Sequence, residues 1–298
     1  CDGNMVISAG TLQLTATGGG GKGINCDGSL TIDGGDITVS TSGGMYAYVN
    51  GTEYPNYTGN TDRLTSDQKS SPKGMKVDGD VTINGGSINV TTTGNGGEGI
   101  ESKSEMTVNA GTIVVNSRDD GLNSSSHMYI KGGDITVVAT GNDALDSNGN
   151  MYISGGTIRA FGASAPECGL DANEEENYSV YFTGGTVLAV GGGNSVPSSS
   201  EYTQAYVTGS GSVTAGSTVS LKSGDTVLAE FTVPDNYTAS GGGRYEPGGG
   251  GPGGWGGGGS SILITCAGLT SGSSYTLVNG SSSSSVTARL TGGGSGRP

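Results

Sequence analysis

Residues 22–39 read KGINCDGSLTIDGGDITV and residues 73–90 read KGMKVDGDVTINGGSINV; the phrase returns as EGIESKSEMTVNAGTIVV from Glu98, DGLNSSSHMYIKGGDITV from Asp120 and DALDSNGNMYISGGTIRA from Asp143. Outlying copies begin at Cys1 and Cys168, so about seven units precede residue 195, with a period of about 22 to 25 residues once one insertion is set aside. A unit that short cannot bury a core alone and must stack on its neighbours. Apolar residues alternate within each unit, as in Leu30 and Ile32 or Ile37 and Val39, and glycine pairs separate the runs. That pattern is a strand signal, and no segment carries a 3.6-residue period. Two or three short strands per unit, turned at Gly, Asn and Asp, predict one coil of a parallel β-helix, an all-β solenoid. At about 4.8 Å between coils, seven make a rod on the order of 35 Å long. The glycines are expected at corners that need positive φ. A propeller blade needs around 40 residues per repeat, and a leucine-rich repeat needs its Leu and Asn signature; neither fits.

Composition alone points elsewhere. With 61 glycines in 298 residues, 32% hydrophobic residues and a net charge of -14, the chain reads as disordered, and the periodicity overrides that reading. The excess of 27 acidic over 13 basic residues argues against nucleic acid and anionic lipid as partners. There is no run of eighteen apolar residues and no signal peptide, so the expectation is a soluble, not membrane-spanning, mature or trimmed chain.

The four cysteines have no metal-binding spacing. Cys1 and Cys26 lie one coil apart, a separation a disulfide tolerates, and Cys168 with Cys266 is a second candidate pair. The alternative is a stack of small residues, because Val77, Ser102, Ser124 and Ser147 share the position of Cys26. Cys1 is also a candidate acylated lipoprotein cysteine, although Cys1-Asp2-Gly3 matches Cys26-Asp27-Gly28 and so occupies an ordinary repeat position.

The repeat assigns residues 1–194 to the helix, with a tyrosine-bearing insertion at 45–72 (Tyr46, Tyr48, Tyr54, Tyr57) expected as a long surface loop. Residues 195–298 read as antiparallel strands forming a C-terminal cap. That cap is interrupted at 241–261 by a Gly-rich stretch around Trp255, a composition usual for a linker.

Candidate chemistry lies where the chain enters successive coils: Glu98 to Glu101, Asp119-Asp120 to Asn123, Asn142-Asp143 to Asp146, and Glu167 to Asp171. In register, these residues place Glu98, Asp120 and Asp143 in one ladder and Glu101, Asn123, Asp146 and Asp171 in another. Bare carboxylates about 4.8 Å apart repel by roughly 1 to 3 kcal/mol per pair at effective dielectrics of 80 to 20. A Ca²⁺ ion midway between two rungs lies about 2.4 Å from an oxygen above and one below, its usual bond length. The competing reading is a solvated acidic edge with Asn side chains bonding down the ladder. A second column changes from Thr31, Thr82 and Thr107 to Tyr129, Tyr152 and Tyr181. It offers rings to sugars, with Lys131 and Arg159 available to carboxylates, or else simply good exposed-strand residues. A lone histidine, His127, gives little support for nucleophilic catalysis. A polysaccharide lyase needs only calcium and a base, for which Lys103, Arg118 and Lys131 are nearest in sequence.

The repeat Lys-Gly-Ile-x-x-Asp-Gly-x-(Leu/Val)-Thr-Ile-x-Gly-Gly-x-Ile-x-Val, the insertion after the second coil and the terminal FTVPDNYTAS and SSYTLVNG together resemble a family of secreted bacterial carbohydrate-binding β-helix proteins. The resemblance implies a right-handed parallel β-helix of pectate-lyase-like architecture that binds calcium and plant-type or acidic polysaccharide without catalysis. Asp119 to Asn123 looks like the calcium-binding pattern of some such lyases, with Asn123 where a third Asp stands. The leading expectation is thus an extracellular or cell-surface, calcium-stabilised, noncatalytic binder of cellulose or pectin-type glycans. Two alternatives stay open: a fibre subunit that forms a homopolymer through β-helix ends or Gly-rich tails, and a calcium-dependent pectate-type lyase.

Overall fold

The computed structural model describes residues 1–199, 203–238 and 260–292. Its first part is a parallel β-solenoid of about seven turns. Each full turn contributes a strand to each of three faces. The first face stacks Met5–Ile7, Leu30–Ile32, Val81–Ile83, Met106–Val108 and Met128–Ile130, and the second stacks Thr11–Ala16, Asp36–Thr41, Ser87–Thr92, Thr112–Ser117 and Asp134–Ala139. In the last two turns, Met151–Phe161 and Val180–Gly191 run through both faces as single long strands. The third face stacks Lys22–Cys26, Lys73–Val77, Glu98–Ser102, Leu122–Ser124, Leu145–Ser147 and Leu170–Asp171.

Pairing is in register, so equivalent residues form columns. Leu30, Val81, Met106, Met128, Met151 and Val180 make one inward column, and all are buried. The alternation in the sequence is thereby converted into a continuous apolar core, which no single turn could build.

The glycines do two different jobs. The second glycine of each corner, from Gly35 to Gly185, has φ between 84 and 109°, as expected for a left-handed turn. The glycine opening each unit is not of that kind, which corrects the expectation that all are corner residues. At Gly121 a Cβ would lie 2.1 Å from Val137 Cγ1 and 2.6 Å from the Ala144 carbonyl oxygen. There the residue is glycine for lack of room.

The insertion is more ordered than the expected loop. Tyr46–Val49, Thr52–Tyr54 and Lys69–Ser70 form a three-stranded antiparallel sheet beside a short 3-10 turn at Ser66–Gln68.

The C-terminal part closes the solenoid and also covers its flank. Ser261–Thr265 pairs antiparallel with Val180–Gly191 on one side and Tyr206–Ser210 on the other, and Tyr206 and Leu263 complete the inner core. Thr226–Thr232, Thr218–Ser223, Ser274–Asn279 and Ser282–Thr287 form a four-stranded antiparallel sheet. A second core joins Val219, Leu221, Phe231, Tyr237 and Leu277 to Val138, Phe161, Leu188 and Val190, which stand on the outside of the second face. One outward column explains the docking: Ser40, Thr91 and Asn116 give way to Val138, Phe161 and Val190. Of the Gly-rich insertion expected at 241–261, residues 241–259, including Trp255, lie outside the described residues, as do residues 293–298 of the tail.

None of the four cysteines is in a disulfide, which corrects both proposed pairs. Cys26 sits in the buried column of Val77, Ser102, Ser124 and Ser147, its thiol donating to the Gly3 carbonyl at 3.0 Å, while the Cys1 thiol turns to the same carbonyl at 3.2 Å. The Cys168 thiol donates to the Leu170 carbonyl at 3.1 Å, and Cys266 is buried in the second core. No described helix is long and apolar enough to cross a membrane.

Candidate functional site

The third face carries the acidic rungs. Strand register sets Asn25, Lys76, Glu101, Asn123, Asp146 and Asp171 in one outward column. Extending that register by two residues sets Lys22, Lys73, Glu98, Asp120, Asp143 and Cys168 in another. Backbone bonds from Gly99 to Asp120, Gly121 to Asp143 and Ala144 to Cys168 support this alignment. Both expected ladders therefore exist, with Cys168 closing the first.

The sign of the charge changes at one step. Lys73 is buried and its ammonium lies 2.6 Å from Glu98 and 3.0 Å from Glu101. Burial opposes its charge, but the two carboxylates outweigh it and hold Lys73 above its ordinary pKa. Lys103 also pairs with Glu101. Burial alone would raise Glu101, and the two lysines pull it down instead. Even so, Oε2 of Glu98 and Oε2 of Glu101 are buried with no hydrogen-bond partner.

Beyond that step, no lysine or arginine among the described residues forms an ion pair with Asp120, Asp143 or Asp146. Asp120 and Asp143 are buried. Both are pushed well above the usual carboxylate range, first by burial and then by neighbouring carboxylates: Asp146 and Asp119 act on Asp120, and Asp171 and Glu167 act on Asp143. Asp146 is raised to about 7 by burial and by Asp171 and Glu98. Local amides relieve part of this. Asn123 donates to Asp120 at 3.1 Å, Asn142 donates to Asp119 at 2.8 Å, and the backbone amides of Asp143 and Cys168 donate to Asp120 and Asp143. The Asn bonding weighed at the sequence level is thus present together with buried carboxylates.

Asp143, Asp146 and Asp171 open onto a cleft of about 390 Å³ that Glu167 and Glu175 also line. Ligand atoms of Asp143, Cys168 and Asp171 all lie within 4.8 Å of one another. Two oxygens bound to one Ca²⁺ at about 2.4 Å cannot be farther apart than about 4.8 Å, so the spacing suits a shared hard cation. The oxygens fit that ion and the soft thiol does not. Of that cluster, Asp143 and Asp171 are the residues able to hold one, and Asp146 lines the same cleft.

The tyrosine column also forms in register, following Thr31, Thr82 and Thr107. Its rings stack on each other: Tyr129 and Tyr152 are 5.1 Å apart and 7° from parallel, and Tyr152 and Tyr181 are 5.0 Å apart at 25°. Both faces of Tyr152 are therefore covered, and its edge points outward. Lys131 sits over the Tyr129 ring at 5.7 Å. Arg159 is not part of this group. It lies beyond the Gly155-Gly156 corner, on the second face, and pairs with Asp134. His127 and Tyr178, which the sequence reading did not include, border the column. The imidazole meets Tyr129, Tyr152 and Tyr178 edge-on, with centroids 6.0 to 6.2 Å apart, and its Nδ1 accepts the Asn150 amide at 2.9 Å. Lys73 was likewise left out of the expected site; the column rule would have found it, directly below Glu98 in the repeat.

A family model described as carbohydrate-binding domain-containing protein matches residues 1–96 and 90–236. No curated protein and no solved structure matches the chain.

Proposed function

The chain belongs to the carbohydrate-binding domain-containing family, and from that premise we propose that it is an extracellular, noncatalytic module that binds polysaccharide along a rod stiffened by calcium. The observation that supports calcium is the run of rungs from Asp120 to Asp171: buried or half-buried carboxylates in register, crowded against one another past the last lysine pair. Asp143, Asp146 and Asp171 are the proposed ligands, with Asp120 and Asn123 on the rung below. Bound calcium would offset the mutual repulsion of these carboxylates and could present an open coordination position to an acidic sugar. The chain's own residues fix the rung spacing through the backbone ladder.

Noncatalytic binding is favoured over lyase chemistry by the fate of the bases. Lys103 is engaged by Glu101 and Lys131 sits over a tyrosine on another face, which leaves Arg118, exposed beside Asp119, as the one candidate of the three for a base. The tyrosine column offers a glycan lying along the rod a row of ring edges and hydroxyls.

Titration calorimetry of calcium into chelator-treated protein, paired with pull-down on cellulose and on polygalacturonate with and without chelator, tests the proposal. Expected are saturable calcium binding that is lost in an Asp143→Asn/Asp171→Asn variant, retention on at least one glycan, and no rise in ultraviolet absorbance from unsaturated uronates. Failure to bind calcium removes the metal part, and failure to retain either glycan removes the carbohydrate part.

A further inference from the structure

Sugar rings stack on aromatic faces, and the tyrosine column has largely spent its faces on itself. The large apolar side chains open to solvent among the described residues lie elsewhere: Val6, Val227, and Tyr48 and Tyr54, which keep 42% and 43% of their surface exposed. Both tyrosines belong to the insertion.

The insertion holds them rigidly. Tyr46–Val49 and Thr52–Tyr54 are joined by Asn50-Gly51, with φ of 51 and 83°. Asn-Gly with both φ positive is the two-residue turn whose twist matches a β-hairpin. Lys69–Ser70 pairs with the other edge of Tyr46–Val49. The hairpin is tied down at its base: Asn56 accepts the Gly44 amide at 3.0 Å, and the Tyr57 amide donates to the Met45 carbonyl at 2.7 Å. Contact with the first coil is close enough that a Cβ on Gly19 would lie 2.1 Å from the Pro55 carbonyl oxygen.

Alternation along the strand sets which side faces out. Ala47 is fully buried, so its neighbours Tyr46 and Tyr48 stand on the opposite side. Glu53 is directly across from Tyr48 and therefore shares that side. That face thus presents the exposed Tyr48 and the half-buried Tyr46, two residues apart, with the Glu53 carboxylate beside them and hydrogen-bonded to Tyr46. Positions i and i+2 of a strand are roughly 6.6 to 6.8 Å apart, comparable to the length of one hexose in a chain.

We propose that Tyr46, Tyr48 and Glu53 form a stacking platform for an uncharged polysaccharide of the β-glucan kind, separate from the tyrosine column. Successive sugars lay their apolar C–H faces on the two rings, and the Glu53 carboxylate accepts hydroxyl hydrogens at their edges. The same carboxylate, on a chain of net charge -14, disfavours polyuronates here. This inference rests on the reading of the chain as a polysaccharide binder.

The experiment compares the full wild-type chain with Tyr46→Ala/Tyr48→Ala, Glu53→Gln and Tyr152→Ala in pull-down on microcrystalline cellulose and affinity electrophoresis in polygalacturonate. Loss of an aromatic contact worth about 0.5 to 1.5 kcal/mol weakens binding roughly twofold to tenfold per ring, so the double variant should lose roughly tenfold on cellulose. Glu53→Gln should narrow the preference for cellulose over polygalacturonate. A cello-oligosaccharide should slow nitration of Tyr48 by tetranitromethane in the wild type, a readout that needs no variant to fold. If the double variant keeps wild-type circular dichroism and wild-type cellulose affinity, or the oligosaccharide leaves nitration of Tyr48 unchanged, the platform is refuted while polysaccharide binding stands. If Tyr152→Ala alone abolishes cellulose binding, the site belongs on the column. If the wild type binds neither glycan, the broader reading falls and takes the platform with it.

Discussion

In the metal-free protein, the rung carboxylates should make stability fall as pH rises, the reverse of ordinary acid denaturation. Asp146 titrates near 7 in the folded protein and near 3.8 when unfolded. Between those values the folded state holds a proton that the unfolded state has released, so raising pH through the window favours unfolding. Moving one group from 3.8 to about 7 corresponds to roughly 4 kcal/mol. Asp146 borders the cleft, and water there reduces the cost, so a loss of about 2 kcal/mol is expected. For a chain of this size that lowers the thermal midpoint by about 4 to 8 °C. Glu101, held down by Lys73 and Lys103, works in the opposite sense as pH falls, so the informative quantity is a difference between variants. Thermal midpoints of wild type and Asp146→Asn, measured by circular dichroism in chelator at pH 4.5, 6 and 7.5, should diverge as pH rises, because Asn has no proton to lose. Calcium should then raise the wild-type midpoint more at pH 7.5 than at 4.5, since the ligands must be deprotonated; at a hundredfold excess over Kd the gain is about 2.7 kcal/mol. Parallel pH curves for the two proteins would refute the reasoning.

Replacing Lys73 with Met leaves Glu98 and Glu101 buried without their shared counter-ion; urea denaturation should show a loss of about 3 kcal/mol or more, largely recovered by adding Glu98→Gln and Glu101→Gln. Gly121→Ala forces a methyl against Val137 and the next coil's backbone and should cost about 1 to 3 kcal/mol by the same assay. Phe161→Ala removes a buried ring that packs 5.1 Å from that of Tyr237. A loss of about 3 to 5 kcal/mol is expected, and limited proteolysis should cut the C-terminal sheet while the coils persist.

The fold was legible because a β-solenoid writes itself along the chain. Ile37, Ile88, Ile113, Ile135 and Ile158 recur at the same place in the repeat and do stack inside. The same arithmetic placed the acidic rungs and the tyrosines correctly relative to one another. Orientation was less legible. Whether a tyrosine presents a face or an edge depends on its neighbour one coil away, and nothing in the repeat distinguished Tyr152, covered on both sides, from Tyr48, left open. Arg159 was misjudged because distance along the chain ignores the corner at Gly155-Gly156, which turns it onto another face. The disulfides failed on direction too: the register puts Cys26 in an inward column of small residues, where it serves as one more of them. The flank docking of the C-terminal sheet was visible in principle, since Val138, Phe161 and Val190 break a polar outward column.

These cases share a cause. In a solenoid the inward columns are held constant by the core, so the outward columns are the only coordinate along which one turn can differ from the next. A change of character along such a column therefore marks a boundary on the rod. The column through Lys73 and Glu98 turns acidic at the third full coil and ends at Cys168, which confines the carboxylate crowding to about three coils. The column through Asn116 and Val138 turns apolar one coil later, where the flanking sheet docks. Because coupling in a stacked repeat is mainly between neighbours, each boundary acts locally. The acidic rungs destabilise only the coils that carry them, and those same coils are gripped on another face by the C-terminal sheet and closed at their end by Ser261–Thr265. The part of the rod where carboxylates crowd is thus also its most buttressed part, which holds them in register against their mutual repulsion.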